Sequence, residues 1–248
     1  MNVQPIILAG GKGTRMGASD LPKVLVHLKN VPLISWLLKE VEKLGLESRP
    51  IVVVKHKYQL VQSALGSSFK YVFQNDEHGT GAAVKAAVPH VSAEHALILY
   101  GDMPFIKSQS LQRLIQHHLQ RNLEFTMFSS TVPHFEGIYA SHFGFGRLLR
   151  ENGNLVRNVE LVDASDQEKN ILEVNPSIYL FQTEWLKRNI DAVRQNKHGE
   201  FYLTDLLEIG IRNGTRIETI PVDPLEAFGI NTSQQLMQAD EILDRVTK

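Results

Sequence analysis

The chain has 248 residues, long enough for one large α/β domain or two small ones with a sizeable core. Its 26 Lys plus Arg balance 27 Asp plus Glu, so no whole-chain field draws it to nucleic acid or an anionic bilayer, and its expected partners are small molecules. Cysteine is absent, which excludes disulfides, thiolate metal sites and thiol nucleophiles; with no secretory leader and no run of ~18 apolar residues, a cytoplasmic location is expected.

The apolar run Val3 to Leu8 holds a buried strand over Pro5 to Leu8, and Leu8-Ala9-Gly10-Gly11-Lys12-Gly13-Thr14-Arg15-Met16 follows at its end. Without a Cβ, Gly10, Gly11 and Gly13 can take positive φ and let polyphosphate oxygens reach backbone N–H groups, while Lys12 and Arg15 supply charge. A Walker A loop is excluded because Gly13, not Ser or Thr, follows Lys12. A dinucleotide fingerprint starting at Gly11 is excluded because position 16 is Met16. Taken alone, the cluster also fits an ordinary strand-to-helix turn.

Further strands are expected at Ile51 to Val54, Tyr71 to Phe73, Ala96 to Tyr100 and Phe125 to Ser129, alternating with helical patterns. Leu33, Ile34, Leu37, Leu38, Val41 and Leu44 recur at helical spacing, as do Leu111, Leu114, Ile115 and Leu119. This is the wiring of an α/β fold: a Rossmann-like, mostly parallel sheet flanked by helices. Ligands of such sheets bind beyond the carboxyl ends of the strands, where the glycine loop, Gln74 and Asp102 all fall.

The second half changes character. Phe143 to Arg157 is glycine-rich, Val156 to Val162 and Ile171 to Phe181 suggest strands, and the whole reads as a smaller mixed insertion facing the substrate. Tyr202 to Ile211 reads as a helix and Arg216 to Val222 as a returning strand. Thr232 with Gln235 forms a capping box for a last helix presenting Leu236, Ala239, Leu243 and Val246. With no repeat, low-complexity tract or linker, residues 1–248 are expected to form a single domain: a nucleotide-binding core at 1–135 and 215–231, a substrate-facing part at 136–214 and a terminal helix at 232–248.

Several side chains can carry chemistry. Asp102, in Tyr100-Gly101-Asp102-Met103-Pro104, places a hard oxygen where a strand leaves the sheet, which suits Mg²⁺ but also suits a turn or a helix cap. Asn231 is a second oxygen donor and equally a neighbour of the last helix's N-cap. Lys23 follows Pro22, whose fixed backbone can direct the side chain; a solvated lysine is the alternative. Gln74 offers a donor and an acceptor together, as reading a pyrimidine edge requires, and Gly79-Thr80-Gly81 behind it either joins that site or simply starts a helix. The ten histidines include no His-Glu-x-x-His spacing, and there is no Gly-x-Ser-x-Gly elbow, so zinc and serine-hydrolase chemistry are not expected.

Together these segments resemble the sugar-1-phosphate nucleotidylyltransferases, and most closely the uridylyltransferase domain of the bacterial N-acetylglucosamine-1-phosphate uridylyltransferases. The likeness runs over nearly the whole chain. It includes the glycine loop, Leu21-Pro22-Lys23-Val24-Leu25, Gln74 with Gly79-Thr80-Gly81, Tyr100-Gly101-Asp102, Gly146-Arg147, Glu160 and Asn175. It continues through Gly199-Glu200-Phe201-Tyr202-Leu203-Thr204-Asp205 and Gly229-Ile230-Asn231. The resemblance implies that Leu8, Ala9, Gly10, Gly11, Lys12, Gly13, Gln74, Gly79 and Thr80 hold UTP, with Arg15 and Lys23 neutralising phosphate charge. It implies that Asp102 and Asn231 hold Mg²⁺, and that Tyr100, Gly101, Gly146, Glu160 and Asn175 surround a sugar 1-phosphate.

N-Acetylglucosamine 1-phosphate is then the expected acceptor, and UDP-N-acetylglucosamine and pyrophosphate the products. Where the family has Asn-Thr-Gly this chain has Asn175-Pro176-Ser177, so a backbone donor is missing beside the expected sugar pocket. The hexapeptide repeats that bear acetyltransferase activity in bifunctional relatives are absent from the sequence, so acetyl transfer is not expected. The alternatives are a nucleotidylyltransferase for another sugar, polyol or cofactor phosphate or another nucleotide, and an inactive nucleotide-sugar-binding subunit.

Overall fold

A computed structural model of the chain describes residues 1–17 and 21–246, the last three of these by backbone alone. β1 (Val3–Leu8) leads through the glycine loop to a short hairpin, β2 (His27–Leu28) and β3 (Val31–Pro32), and then to α1 (Leu33–Glu42). Next come β4 (Ile51–Val54), α2 (Tyr58–Leu65), β5 (Lys70–Phe73), α3 (Thr80–Ala87), β6 (His95–Tyr100), α4 (Ser108–Gln120) and β7 (Phe125–Thr131). The second half runs through β8 (Gly146–Glu151), β9 (Asn154–Val159), α5 (Asp166–Lys169), β10 (Glu173–Asn175) and β11 (Tyr179–Gln182). It ends with α6 (Thr183–Asn189), α7 (Asp205–Arg212), β12 (Ile217–Pro221) and α8 (Ser233–Val246).

The main sheet has the order β5-β4-β1-β6-β11-β7-β10-β8-β9, with β12 added beside β7. β5, β4, β1 and β6 are parallel, and β12 is parallel to β7. β11 runs antiparallel between β6 and β7. β7 and β6 therefore keep the same direction, as the alternating pattern predicts, but they are separated by a strand that arrives some fifty residues later in the chain.

Strands buried on both faces need apolar residues at every position, which is why β1, β4 and β6 read as continuous runs rather than alternations. Ile6, Leu8, Ile51, Val53 and Ile98 face one layer, packed with Ala83, Val84 and Ala87 of α3, Trp185 and Leu186 of α6 and Leu206 and Leu207 of α7. Ile7, Val52, Val54, Leu97 and Leu99 face the other, against Ile34, Leu37 and Val41 of α1 and Leu111, Leu114 and Ile115 of α4. Each fully buried aliphatic side chain contributes about 1.5–3 kcal/mol relative to exposure. A third cluster joins Met16, just past the glycine loop, to Phe105, Phe228, Ile230 and the α8 residues Ala239, Ile242 and Leu243. It fixes the loop and the segment before Asn231 to one another.

The second half departs from expectation in two places. The glycine-rich stretch is a hairpin, β8 and β9, turned by Asn152 (φ +50°) and Gly153 (φ +81°), a pair that matches the right-handed twist of the strands it joins. β9 stops at Val159, and a turn from Glu160 to Asp163 takes the place of the strand's expected end at Val162. The expected strand Ile171 to Phe181 is two strands, because Pro176 offers no N–H and Ser177 takes φ +61°. The capping box forms: Gln235 Oε1 accepts from the Thr232 N–H at 3.0 Å, and the Gln235 N–H donates to Thr232 Oγ1 at 3.2 Å. The Val246 side chain lies outside the described residues.

Candidate active site

A cleft of about 470 Å³ opens at the carboxyl ends of β1, β4, β5 and β6. Leu8, Gly10, Gly11, Lys12, Lys23, Gln74, Gly79, Thr80, Tyr100, Asp102 and Asn231 all line it. Ala9 is buried beneath it, with its N–H on Val53 O at 2.8 Å, and Gly101 N–H donates to Leu8 O at 3.0 Å. Arg15 is exposed on the turn Thr14–Met16 and does not line the cleft.

The glycines act differently from one another. Gly13 takes φ +73°, but Gly10 and Gly11 do not enter the left-handed region. Their absent side chains make room instead. A Cβ on Gly10 would stand 3.2 Å from Gln74 Oε1 and 3.3 Å from Lys55 Cβ, and one on Gly11 would stand 3.1 Å from Lys23 Cε. The expected positive φ at Gly10 and Gly11 is thus replaced by close approach to the side chains lining the cleft.

Lys23, Asp102 and Asn231 meet although they come from three distant parts of the chain. The Lys23 ammonium donates to Asp102 Oδ2 and, at 2.8 Å, to Asn231 Oδ1. The backbone reinforces the meeting: Lys23 N–H donates to Gly11 O at 3.1 Å, and Ile230 N–H donates to Asp102 O at 2.9 Å. Two hard oxygens thus converge on one cation. Among the described residues no group of three or more His, Asp or Glu side chains forms a metal cage. A carboxylate plus an amide oxygen fits an ion of the Mg²⁺ type, which takes one or two protein ligands and fills its octahedron with water and substrate phosphate.

At the other side of the cleft, Phe145, Pro176 and Ser177 form the wall; of the expected sugar-side residues Tyr100 lines the cleft, whereas Gly101, Gly146, Glu160 and Asn175 do not. Asn175 pairs in register with Gly146. Its amide N–H groups donate to Asn158 Oδ1 at 3.0 Å and Tyr179 Oη at 2.7 Å, and its Oδ1 accepts the Ser177 N–H at 2.8 Å. Asn158 in turn donates to Glu160 at 3.1 Å. A Cβ on Gly146 would overlap the Asn158 amide, 3.0 Å from its nitrogen and closer still to its oxygen. The amide of Asn175 is therefore engaged within the protein and shapes the Pro176–Ser177 wall. Burial pushes the hydroxyls of Tyr100 and Tyr179 up from the ordinary tyrosine range, and Thr80 and Ser177 hydrogen-bond to Tyr100.

The segment Glu200–Leu203 is docked on the loop His78–Gly81. Phe201 N–H donates to His78 O and Gly81 N–H to Phe201 O, both at 2.8 Å, and Leu203 N–H reaches Thr80 Oγ1 at 3.1 Å. Thr80 thus braces the two segments against one another. Asp205, starting α7 behind this contact, is raised to about 6 by burial first, then by Glu208 and Glu160.

Arg147 is fully buried, with no ion-pair partner among the described residues. It donates to the carbonyls of Phe143, Phe145 and Lys169 and lies against the rings of Phe135 and Phe143 at 4.7 and 5.1 Å. Sequence reasoning missed Lys55, His78, Phe145 and Ser177, all in the cleft. The position of Lys55 immediately after β4 is the signal that could have found it.

Residues 5–170 match the MobA-like NTP transferase domain. The chain is 36% identical over 244 residues to the bifunctional protein GlmU of Caldanaerobacter subterraneus subsp. tengcongensis, covering 97% of this chain and 51% of that protein. It is 38% identical over 241 residues to GlmU of Thiobacillus denitrificans, covering 96% and 50%. The chain spans about half the length of the curated relatives it matches. Among solved structures, an apo UDP-glucose pyrophosphorylase superposes with TM-score 0.80 at 15% identity over the full length of both chains. A Bacillus anthracis protein assigned as a glucose-1-phosphate thymidylyltransferase superposes with TM-score 0.79 at 18% identity, over 97% of this chain and 94% of the other. These likenesses show a shared fold, a mostly parallel sheet flanked by helices.

Proposed function

Because the chain belongs to the MobA-like NTP transferase domain family, we propose that it transfers a uridylyl group from UTP to a sugar 1-phosphate, N-acetylglucosamine 1-phosphate first among them, releasing pyrophosphate. The observation that carries this reading is the convergence of Lys23, Asp102 and Asn231 beside the glycine loop.

A phosphomonoester has a second pKa of about 6, so the attacking oxygen of a sugar phosphate is already ionised near neutral pH and needs no protein base. The obstacle is repulsion between two anions. The acceptor oxygen forms a bond to the α-phosphorus as the bond to pyrophosphate breaks in line. The protein's part is to align the two substrates and offset their charge. The glycine loop presents backbone N–H groups to the triphosphate, with Lys12 and Arg15 exposed at its edge and Lys23 inside the cleft. Gln74 addresses the nucleobase, and the wall formed by Phe145, Pro176 and Ser177 bounds the acceptor. Asp102 and Asn231 would hold a Mg²⁺ ion, which when bound supplies further neutralisation of phosphate charge.

The test is incubation of the chain with Mg²⁺, UTP and a panel of sugar 1-phosphates, including glucose, glucosamine and N-acetylglucosamine 1-phosphates, scored for pyrophosphate. Release with N-acetylglucosamine 1-phosphate is the expected result. No release with any acceptor overturns the reading. Release with a different sugar alone corrects the acceptor, an outcome to which Pro176 at the cleft wall gives specific ground.

A further inference from the structure

Lys55 follows directly on β4, between the strands that deliver Gln74 and the glycine loop, and its side chain lines the cleft. Its ammonium donates to Glu77 O at 2.7 Å and stands 3.4 Å from His78 Nδ1. The Gln74 side chain donates to the same Glu77 carbonyl at 3.0 Å and to Gly79 O at 3.2 Å. Ammonium and amide are therefore neighbours on one acceptor.

This sharing fixes what each group offers a ligand. With its NH₂ donors held by Glu77 and Gly79, Gln74 presents only Oε1, an acceptor, which lies against Gly10 and accepts from no group among the described residues. Lys55 is a donor only, with three N–H bonds of which the Glu77 carbonyl takes one. Side by side they make an acceptor–donor pair. Uracil offers the complement, an N3–H donor flanked by carbonyl acceptors. Cytosine inverts it, with an unprotonated N3 facing Oε1 and an amino group facing the ammonium.

We propose that Lys55 is a specificity-determining residue of the nucleobase subsite, donating to the C4 carbonyl beside the N3–H that Gln74 accepts, so that uracil is bound and cytosine, inverted along that edge, is rejected. The proposal rests on the uridylyl-transfer reading and deepens it. A buried polar group left facing the wrong partner discriminates strongly, whereas apolar contact with either pyrimidine does not.

The experiment compares UTP and CTP in wild type, Lys55→Met and Lys55→Arg, by calorimetric binding of each nucleotide alone and by kcat/KM wherever an acceptor is turned over. Wild type is expected to favour UTP. Lys55→Met should lower UTP binding about 10- to 100-fold and leave CTP within about threefold, so that the ratio collapses, while Lys55→Arg keeps a donor and most of the preference. Equal weakening of both nucleotides marks Lys55 as a mere support for the Glu77 carbonyl and overturns the proposal. An unchanged ratio, or wild type binding both nucleotides alike, also overturns it. Because nucleotide binding needs no acceptor, a uracil preference lost in Lys55→Met upholds the proposal even where every sugar phosphate fails and the transfer reading falls.

Discussion

The ammonium of Lys23 is bonded to the carboxylate of Asp102, 79 positions away in the chain, and the same ammonium reaches Asn231 at 2.8 Å. One lysine thus bridges the two oxygens that suit a divalent ion, so in the proposed metal site lysine and ion would compete for the same ligands. Lys23→Ala should bind Mn²⁺ without nucleotide more tightly than wild type, by about tenfold, as read by the paramagnetic signal of free Mn²⁺. Under the proposed mechanism, in which this charge faces the negative charge gathered in the transition state, the same variant should lose about 10²-fold or more in kcat. Weaker Mn²⁺ binding in the variant would count against the competition.

Asp102→Ala removes one of those oxygens at a position that anchors no core packing. Metal-dependent pyrophosphate release should disappear while circular dichroism and the melting transition stay close to wild type. Near-normal turnover would overturn the proposal that Asp102 holds the metal.

Gly79 has φ +102°, and a Cβ there would overlap the Phe201 backbone, 2.7 Å from its nitrogen. Gly79→Ala should therefore part the His78–Gly81 loop from Glu200–Leu203. A stability loss of about 1–3 kcal/mol or more is expected in urea denaturation, with a raised KM for UTP. An unchanged transition midpoint would show that the loop relaxes without strain.

Asp205 titrates near 6 because burial, then Glu208 and Glu160, disfavour its charge. Between the ordinary aspartate value and about 6 the folded protein holds more protons than the unfolded chain, so this group makes stability fall as pH rises through that window. Asp205→Asn should abolish that component. Its melting temperature relative to wild type should climb from pH 4 to pH 6.5 and level off above, and a flat difference across the range would contradict the assignment.

Arg147 reaches three carbonyls with a planar fork that lysine does not reproduce. Lys and Met at this position should each destabilise the fold by about 2 kcal/mol or more in chemical denaturation, because buried carbonyls lose their donors. Since Phe145 borders the cleft, KM for the sugar phosphate should rise more than KM for UTP. Equal effects on both would detach the acceptor wall from Arg147.

What could be read from sequence was what local chemistry dictates. The runs Ile51–Val54 and Ala96–Tyr100 were legible because burial on both faces demands uninterrupted apolar residues, Asp102 because it follows such a run, and Gln74 because it follows the short apolar stretch of the edge strand β5. The β8–β9 hairpin was obscured by its glycines, although Asn152-Gly153 is a turn signal in its own right. The split at Pro176 had a local signal, the missing N–H, that the apolar run Ile171 to Phe181 masked, whereas the insertion of β11 between β6 and β7 depends on long-range pairing, which no local pattern carries. Asn175 was named through the family resemblance alone, and its hydrogen bonds with Asn158, Tyr179 and Ser177 are long-range and local contacts that its position in the sequence does not announce.

The placement of β11 also orders events during synthesis. A nascent chain emerging from the ribosome as far as β7 still lacks the strand that joins its two blocks, leaving the edges of β6 and β7 exposed until residue 182 clears the exit tunnel. Stalled chains ending just before and just after that point should differ abruptly in protease resistance, and Asn231 arrives later still, so the meeting of Lys23, Asp102 and Asn231 waits on a residue that follows the whole sheet.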